Sequence, residues 1–302
     1  MSLRARLLNR WLKLTEKPHL GRASLTRVRR SFEAKARILF HPPKDAVFEP
    51  QELVHRQSSV PALGVAGPPD GPVILYFHGG GYGFGSPRTH RAMIAWLCRY
   101  AGARALLPQY RLAPEHPFPA ALEDAVLAYR AVNEAPGGVV LGGDSAGGGL
   151  ALSLLAEIKR LGLPIPRGCF AFSPLTDLSF SSDSVTRNAR SEVILPADRA
   201  AEMARAYLDG ADAADPRASP LHADFEGVCP IWICVGDTEI LLDDTRDIVG
   251  RLKDQGVPVT CVIERDLPHV WPLFRGLMPE ADQTLREVAE WIRSLSLRSA
   301  GS

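Results

Sequence analysis

The chain has 302 residues, 46% hydrophobic and 23% charged, with 35 Lys+Arg against 34 Asp+Glu and a formal net charge of +1. That balance excludes a disordered or collagen-like chain and argues against a nucleic-acid or other general polyanion binder. No run of about 18 apolar residues exists, so no stable membrane insertion is expected. The five cysteines (Cys98, Cys169, Cys229, Cys234 and Cys261) show neither C-x-x-C nor a framework spacing. Their apolar neighbours point to small buried thiols in a reducing compartment, and a cytoplasmic location is expected.

Charge is unevenly spread. Residues 1–40 hold eleven Lys/Arg against Glu16 and Glu33, a net +9, which leaves −8 for the rest of the chain. A secretory signal needs an apolar core of roughly 7–15 residues, whereas here charge returns every few positions, so export is not expected. Leu3, Leu7, Leu8, Trp11 and Leu14 fall at helical spacing. The leading expectation is a helix packed over the body through that stripe. A membrane-surface helix and a transit peptide are the alternatives.

From about residue 47 strands and helices alternate. Short apolar runs read as buried strands at Val73–Phe77, Arg104–Pro108, Val139–Gly142, Cys169–Phe172, Ile231–Val235 and Val259–Ile263. Between them Leu150, Leu154 and Ile158 repeat at helical spacing, as do Ala281, Leu285, Val288, Ile292 and Leu295 near the end. Continuous apolar strands alternating with helices predict a mostly parallel sheet covered on both faces. The rhythm breaks after Ser173, where about 55 residues pass before the next strand, too many for a structureless loop. Ala200, Met203, Ala204 and Tyr207 after Pro196 predict a helix there. This insertion, with residues 1–45, is expected to form a lid.

Gly143-Asp-Ser-Ala-Gly147 is a G-x-S-x-G lying directly after a strand and before a helix. A sharp strand-to-helix turn needs flanking glycines and exposes the Ser145 hydroxyl above a helix N-terminus. His78-Gly-Gly-Gly81 follows the Val73–Phe77 strand. A tetrahedral intermediate requires N–H donors aimed at its oxyanion in advance, and the candidates are the amides of Gly80, Gly81 and Ala146. A phosphate loop is disfavoured, because neither G-x-x-x-x-G-K-[ST] nor a complete G-x-G-x-x-G is present.

Three ordered segments, His78-Gly-Gly-Gly-Tyr-Gly-Phe-Gly-Ser86, Tyr110-Arg-Leu-Ala-Pro-Glu-His-Pro-Phe-Pro119 and Gly143–Gly147, closely resemble the bacterial hormone-sensitive-lipase-like esterases of the α/β-hydrolase superfamily. The resemblance runs from about residue 45 to the C-terminus. It implies an α/β-hydrolase fold with a mostly parallel eight-stranded sheet, helices on both faces and a helical cap. It also implies no metal or cofactor, and hydrolysis of carboxylic esters. The implied division is 1–45 as N-terminal cap helices and 46–302 as the catalytic domain, with a cap insertion at about 178–212. The Tyr110–Pro119 tract is implied to brace the sheet edge beside the site.

On this fold a catalytic triad runs Ser, acid, His along the chain, which leaves His222 and His269. His269 is favoured because it follows the last strand in Asp266-Leu-Pro-His-Val-Trp271, whereas His222 lies in the insertion. For the acid, Val235–Asp244 offers Asp237, Glu239, Asp243 and Asp244. The family usually has D-P-L-x-D here, and Glu239-Ile-Leu-Leu-Asp243 occupies that frame, so Glu239 takes the triad slot, one methylene longer than expected. Asp237 and Asp243 stay open as alternatives, the latter more simply a first-turn acid. Tyr82, Phe84, Met203 and Tyr207 are candidates for an apolar substrate pocket.

The expected activity is serine carboxylesterase, and the resemblance, with a modest apolar pocket, implies short to medium acyl chains of roughly two to eight carbons. An amidase, lactonase or deacetylase would use the same machinery, and a non-catalytic small-molecule receptor is a further alternative. The expected partner is a small-molecule ester, and edge-strand pairing would make a homodimer.

Overall fold

The computed structural model describes residues 1–298. Its centre is an eight-stranded sheet: β1 (Phe48–His55), β2 (Ser58–Val65), β3 (Val73–Phe77), β4 (Arg104–Pro108), β5 (Val139–Asp144), β6 (Gly168–Phe172), β7 (Ile231–Gly236) and β8 (Val259–Glu264). The order is β1-β2-β4-β3-β5-β6-β7-β8. Among the described residues only the β1/β2 and β2/β4 pairs are antiparallel. The strands from β4 to β8 run parallel. The six apolar runs in the sequence are β3 to β8. The β1–β2 hairpin comes in addition, closed by Arg56-Gln57 with Arg56 at φ 57°. It lacks the Asn-Gly or Asp-Gly signal of a tight turn, and β1 has a single buried residue, Leu53, so neither turn chemistry nor apolar continuity marks it.

The helices are α1 (Leu3–Arg22), α2 (Leu25–Leu39), α3 (Pro87–Ala101), α4 (Ala120–Val132), α5 (Ala146–Arg160), α6 (Asp183–Arg187), α7 (Ala197–Leu208), α8 (Leu242–Asp254) and α9 (Pro279–Arg298). Strand side chains alternate between faces, which divides the core in two. Leu75 and Phe77 of β3 pack with Leu122, Leu150, Leu154, Ile158 and Ile248 of α4, α5 and α8. Ile74 and Tyr76 point the other way, to Met93, Ile94 and Leu97 of α3 and Leu285, Val288 and Ile292 of α9. Truncating one of these wholly buried leucines would cost about 2–5 kcal/mol.

Two details depart from the sequence expectations. β4 lies inside the sheet between β2 and β3, so the Tyr110–Pro119 tract that follows it does not brace an edge. α1 packs on the body through Ala5 and Leu12, while Leu3, Leu7, Trp11 and Leu14 face outward. Of the apolar stripe read as its packing face, only Leu8 packs against the core; the other four members lie on the outward side. Small Ala5 lets the backbone come close, and hydrogen bonds complete the seat: Asn9 Nδ2 donates to the Asp266 carbonyl (2.8 Å) and Lys17 Nζ to those of Ala189 and Glu192 (2.7 Å each).

Candidate active site

Ser145 stands at the turn from β5 into α5 with φ 53° and ψ −123°, a conformation that costs a non-glycine residue about 1–3 kcal/mol. Surrounding bonds hold it: Ser145 N–H donates to the Phe172 carbonyl (2.8 Å), and the amides of Gly149 and Leu175 donate to the Ser145 carbonyl (3.0 Å each). A Cβ on Gly147 would lie 2.1 Å from the Phe77 carbonyl oxygen, so glycine is required where α5 passes the end of β3.

The His78–Ser86 loop lies beside it. Gly80 has φ 121°, and a Cβ there would meet the Phe84 carbonyl at 2.1 Å. The Gly80 carbonyl accepts from the Gly83 and Phe84 amides (3.0 Å each), which curls the loop and turns the Gly80–Gly81 segment to the cavity that Ser145 also lines. Ala146 opens α5, so its N–H is among those without a partner inside the helix. Asp144, the variable residue of the pentapeptide, is the brace. Its Oδ1 accepts from Tyr76 Oη (2.7 Å) and the Gly79 amide (3.0 Å) and lies 3.3 Å from His90 Nε2. Burial alone would raise this carboxyl, but His90, Tyr76 and His78 outweigh it and hold it below the usual range. His78 is pushed down to about 3 by burial and neighbouring His90, so it stays neutral. Tyr110 stacks on it (4.4 Å between centroids) and donates from Oη to its carbonyl (2.7 Å). The Ala113 amide donates to the Tyr82 carbonyl (2.8 Å). The Tyr110–Pro119 tract thus braces this glycine loop.

His269 follows β8 and reaches back to β7. Its Nδ1 is 2.6 Å from Glu239 Oε2. Glu239 Oε1 accepts from the Gly236 amide (2.6 Å) and Ser173 Oγ (2.8 Å), and Ser173 Oγ accepts from the Val270 amide (3.1 Å). The extra methylene lets the carboxylate fold back over the end of β7 and still meet the ring. Asp237 instead accepts from the Asp266 amide (2.8 Å) and holds the loop before His269. Asp243 is in the first turn of α8, paired with Arg187 (2.8 Å) and Arg246 (3.0 Å), and His222 is exposed in a 3-10 turn. Burial would lower the His269 imidazole, but Glu239, then Glu192 and Asp144, raise it above its ordinary 6.5. Glu192 is itself buried, with Oε1 accepting from the Ile194 amide (2.8 Å), and burial pushes its carboxyl up.

Ser145, Gly80, Gly81 and His269 open onto one cavity of about 160 Å³. Its walls are mostly apolar: Leu175 and Leu241 from the loops after β6 and β7, Phe180, Ile194 and Leu195 from the insertion, and Leu12 and Trp11 of α1, Val28 and Phe32 of α2, and Met203 of α7. The Lys35–Glu16 ion pair (2.8 Å) belongs to the same wall. Tyr82, Phe84 and Met203 line it, whereas Tyr207 does not: it is buried behind Tyr82, stacked at 3.8 Å and 6°. Sequence reasoning missed Asp144, Ser173 and Glu192 as supports. Asp144 lay inside a motif already in view. Nothing signals Glu192, which comes from the insertion and meets the site only through the fold.

A family model of the alpha/beta hydrolase fold matches residues 74–273. An acetyl-hydrolase of Streptomyces hygroscopicus is 40% identical over 228 residues, covering 74% of this chain and 76% of the relative. An esterase of Acinetobacter venetianus is 33% identical over 229 residues, with the same coverage. The crystal structure of an esterase from the bacterial hormone-sensitive lipase family superposes at TM-score 0.89 and 34% identity, over 98% of this chain and 99% of that one. EstE5 soaked with p-nitrophenyl butyrate superposes at TM-score 0.89 and 36% identity, over 98% and 100%. Fold and site together define an α/β hydrolase. Within that class, the chain belongs to the bacterial hormone-sensitive-lipase family of esterases and is a carboxylic ester hydrolase.

Proposed function

We propose that the protein is a serine carboxylesterase for short- to medium-chain esters, working through a Ser145–His269–Glu239 triad and an acyl-enzyme. The observation that carries this is the 2.6 Å contact between His269 Nδ1 and Glu239, in a cavity that Ser145 shares. A carboxylate on Nδ1 keeps the proton there and leaves Nε2 as the base. His269 takes the Ser145 proton as Oγ attacks the ester carbonyl carbon. Gly80, Gly81 and Ala146 amides stabilise the oxyanion, each worth about 10²–10³ in rate. The carbonyl re-forms, the C–O bond to the alcohol breaks, and His269 gives the leaving alkoxide its proton. Water, deprotonated by His269, then attacks the acyl-Ser145 ester, which releases the acid and restores the serine.

Residues 1–45 and about 178–212 act as the cap in this reading, since α1, α2 and α7 supply the upper wall of the cavity. Among the described residues no helix is long and apolar enough to cross a membrane. Four of the five thiols are buried and protonated, Cys229 being pushed up to about 12 by burial, which supports a reducing, cytoplasmic setting. Edge pairing into a homodimer would use β8, whose Ile263 is exposed. The 40% identical acetyl-hydrolase favours a second reading in which the physiological acyl group is acetyl.

Initial rates on p-nitrophenyl esters from acetate to palmitate, with Ser145→Ala alongside, test the proposal. Rates should peak at short or medium chains and fall by about 10⁴ or more in the variant. A sharp acetate preference supports the acetyl reading. An active Ser145→Ala protein would end the assignment.

A further inference from the structure

The outward face of α1 is apolar where a monomer surface should be polar. Leu3 is 71% exposed, Leu7 61%, Trp11 40% and Leu14 68%. At 3.6 residues per turn these four fall within a stripe roughly 80° wide, opposite the buried Ala5 and Leu12. The stripe is rimmed by cations, with exposed Arg6 and Arg10 along one side and Arg4 and Arg22 along the other. α2 adds exposed Arg27, Arg30 and Arg37. The two acids on these helices are half-buried and engaged: Glu16 pairs with Lys35 and Glu33 accepts from Ser86 Oγ. No exposed acid therefore offsets the basic rim on α1 or α2, although the rest of the chain carries net negative charge. An apolar stripe between rows of arginine is the pattern of a helix that lies in a lipid interface. A second copy pairing through the same face would bring two basic rims together, which disfavours it.

We propose that α1 docks the enzyme on an anionic lipid surface, with Leu3, Leu7, Trp11 and Leu14 entering the headgroup–acyl boundary and the flanking arginines held by lipid phosphates. Trp11 also lines the cavity that leads to Ser145, so the docked face adjoins the substrate route. Esters dissolved in the interface would enter without crossing water. Only that delivery rests on the esterase reading; the docking stands on the surface alone.

The test is co-sedimentation of the full chain with vesicles of phosphatidylcholine, alone and mixed with phosphatidylglycerol. The protein should pellet with the mixed vesicles, release as salt is raised, and show a blue-shifted tryptophan emission. Leu7→Glu/Leu14→Glu should weaken partitioning at least about tenfold, and Arg4→Ala/Arg10→Ala should weaken it by about fivefold per arginine. All four positions are exposed and outside the cavity wall, so both variants should keep their circular dichroism and their turnover of soluble p-nitrophenyl butyrate. Wild-type protein left in the supernatant, or variants that pellet equally well, would overturn the proposal. So would a wild-type dimer that Leu7→Glu/Leu14→Glu dissolves, since a second copy would then be the occupant. Binding is read without turnover, so a failed esterase assay leaves this outcome independent.

Discussion

Glu239 carries most of what distinguishes this site at the scale of single residues. The family frame has aspartate in its slot, and glutamate keeps the contact by folding its longer side chain back to the Gly236 amide and Ser173. Because Glu239 and Glu192 raise the His269 pKa against the opposing effect of burial, the base role proposed for the imidazole is open to it only above pH 6.5. The acid limb of kcat/KM should therefore lie above 6.5, with activity lost as pH falls through it. Glu239→Gln should lower kcat by about 10³–10⁴ and move that limb down. A pH–rate profile whose limb stays in place would assign the shift to Glu192 instead. Asp144 acts one step further back, through the Gly79 amide and Tyr76. Asp144→Asn keeps an accepting Oδ1 but removes the charge that strengthens the Tyr76 and Gly79 bonds and faces His90, and kcat should fall by about tenfold or more with circular dichroism unchanged; wild-type turnover would show that Tyr110 and His90 hold the loop unaided.

Elements meet at the site through side chains that seat one on another. α2 is tied to the glycine loop by Arg29, which donates from Nε to the Gly83 carbonyl (2.7 Å) and from Nη2 to that of Ala113 (2.9 Å), and pairs with Glu115 (2.6 Å). The ion pair is largely exposed and contributes little by itself, but the two carbonyl contacts hold the curl that presents Gly80 and Gly81. Arg29→Ala should reduce kcat by roughly tenfold with little loss of thermal stability. Arg29→Lys, which cannot span both carbonyls, should recover little, and full recovery by lysine would reduce Arg29 to a charge. The β1–β2 hairpin and the outward stripe of α1 show where pattern reading fails for elements. An edge hairpin with one solvated face needs little apolar sequence, and helical periodicity identifies a stripe without saying whether protein or something else covers it.

The whole molecule is a sheet whose two halves of core must both stay dry while charged groups are threaded through one end. Asp244, wholly buried at the start of α8, takes bonds from Ser182 Oγ (2.9 Å) and the amides of Thr176 (3.3 Å) and Asp177 (3.2 Å). Burial nonetheless pushes its carboxyl from 3.8 up to about 7. The folded state then holds this proton where the unfolded chain has lost it. Stability should fall as pH rises between about 4 and about 7. Asp244→Asn should flatten that slope, as read from urea midpoints at about pH 5 and about pH 8. A slope that persists would place its origin in another group.

Much of this was legible in the residues alone. Six strands, the Ser145 elbow, the glycine loop and the candidates His269 and Glu239 are local: a buried strand is apolar throughout, and a tight turn admits only glycine at fixed offsets. The family, too, could be read from three ordered motifs. What the chain could not declare is which distant groups converge. Glu192 acts on the His269 charge from the insertion, Arg29 reaches the glycine loop from α2, Tyr207 withdraws behind Tyr82, and Leu3, Leu7 and Leu14 of α1 turn outward while Leu12 turns in. Each outcome is set by which face of one element the others leave room for. That is a property of packing between segments far apart in sequence, and no local spacing encodes it.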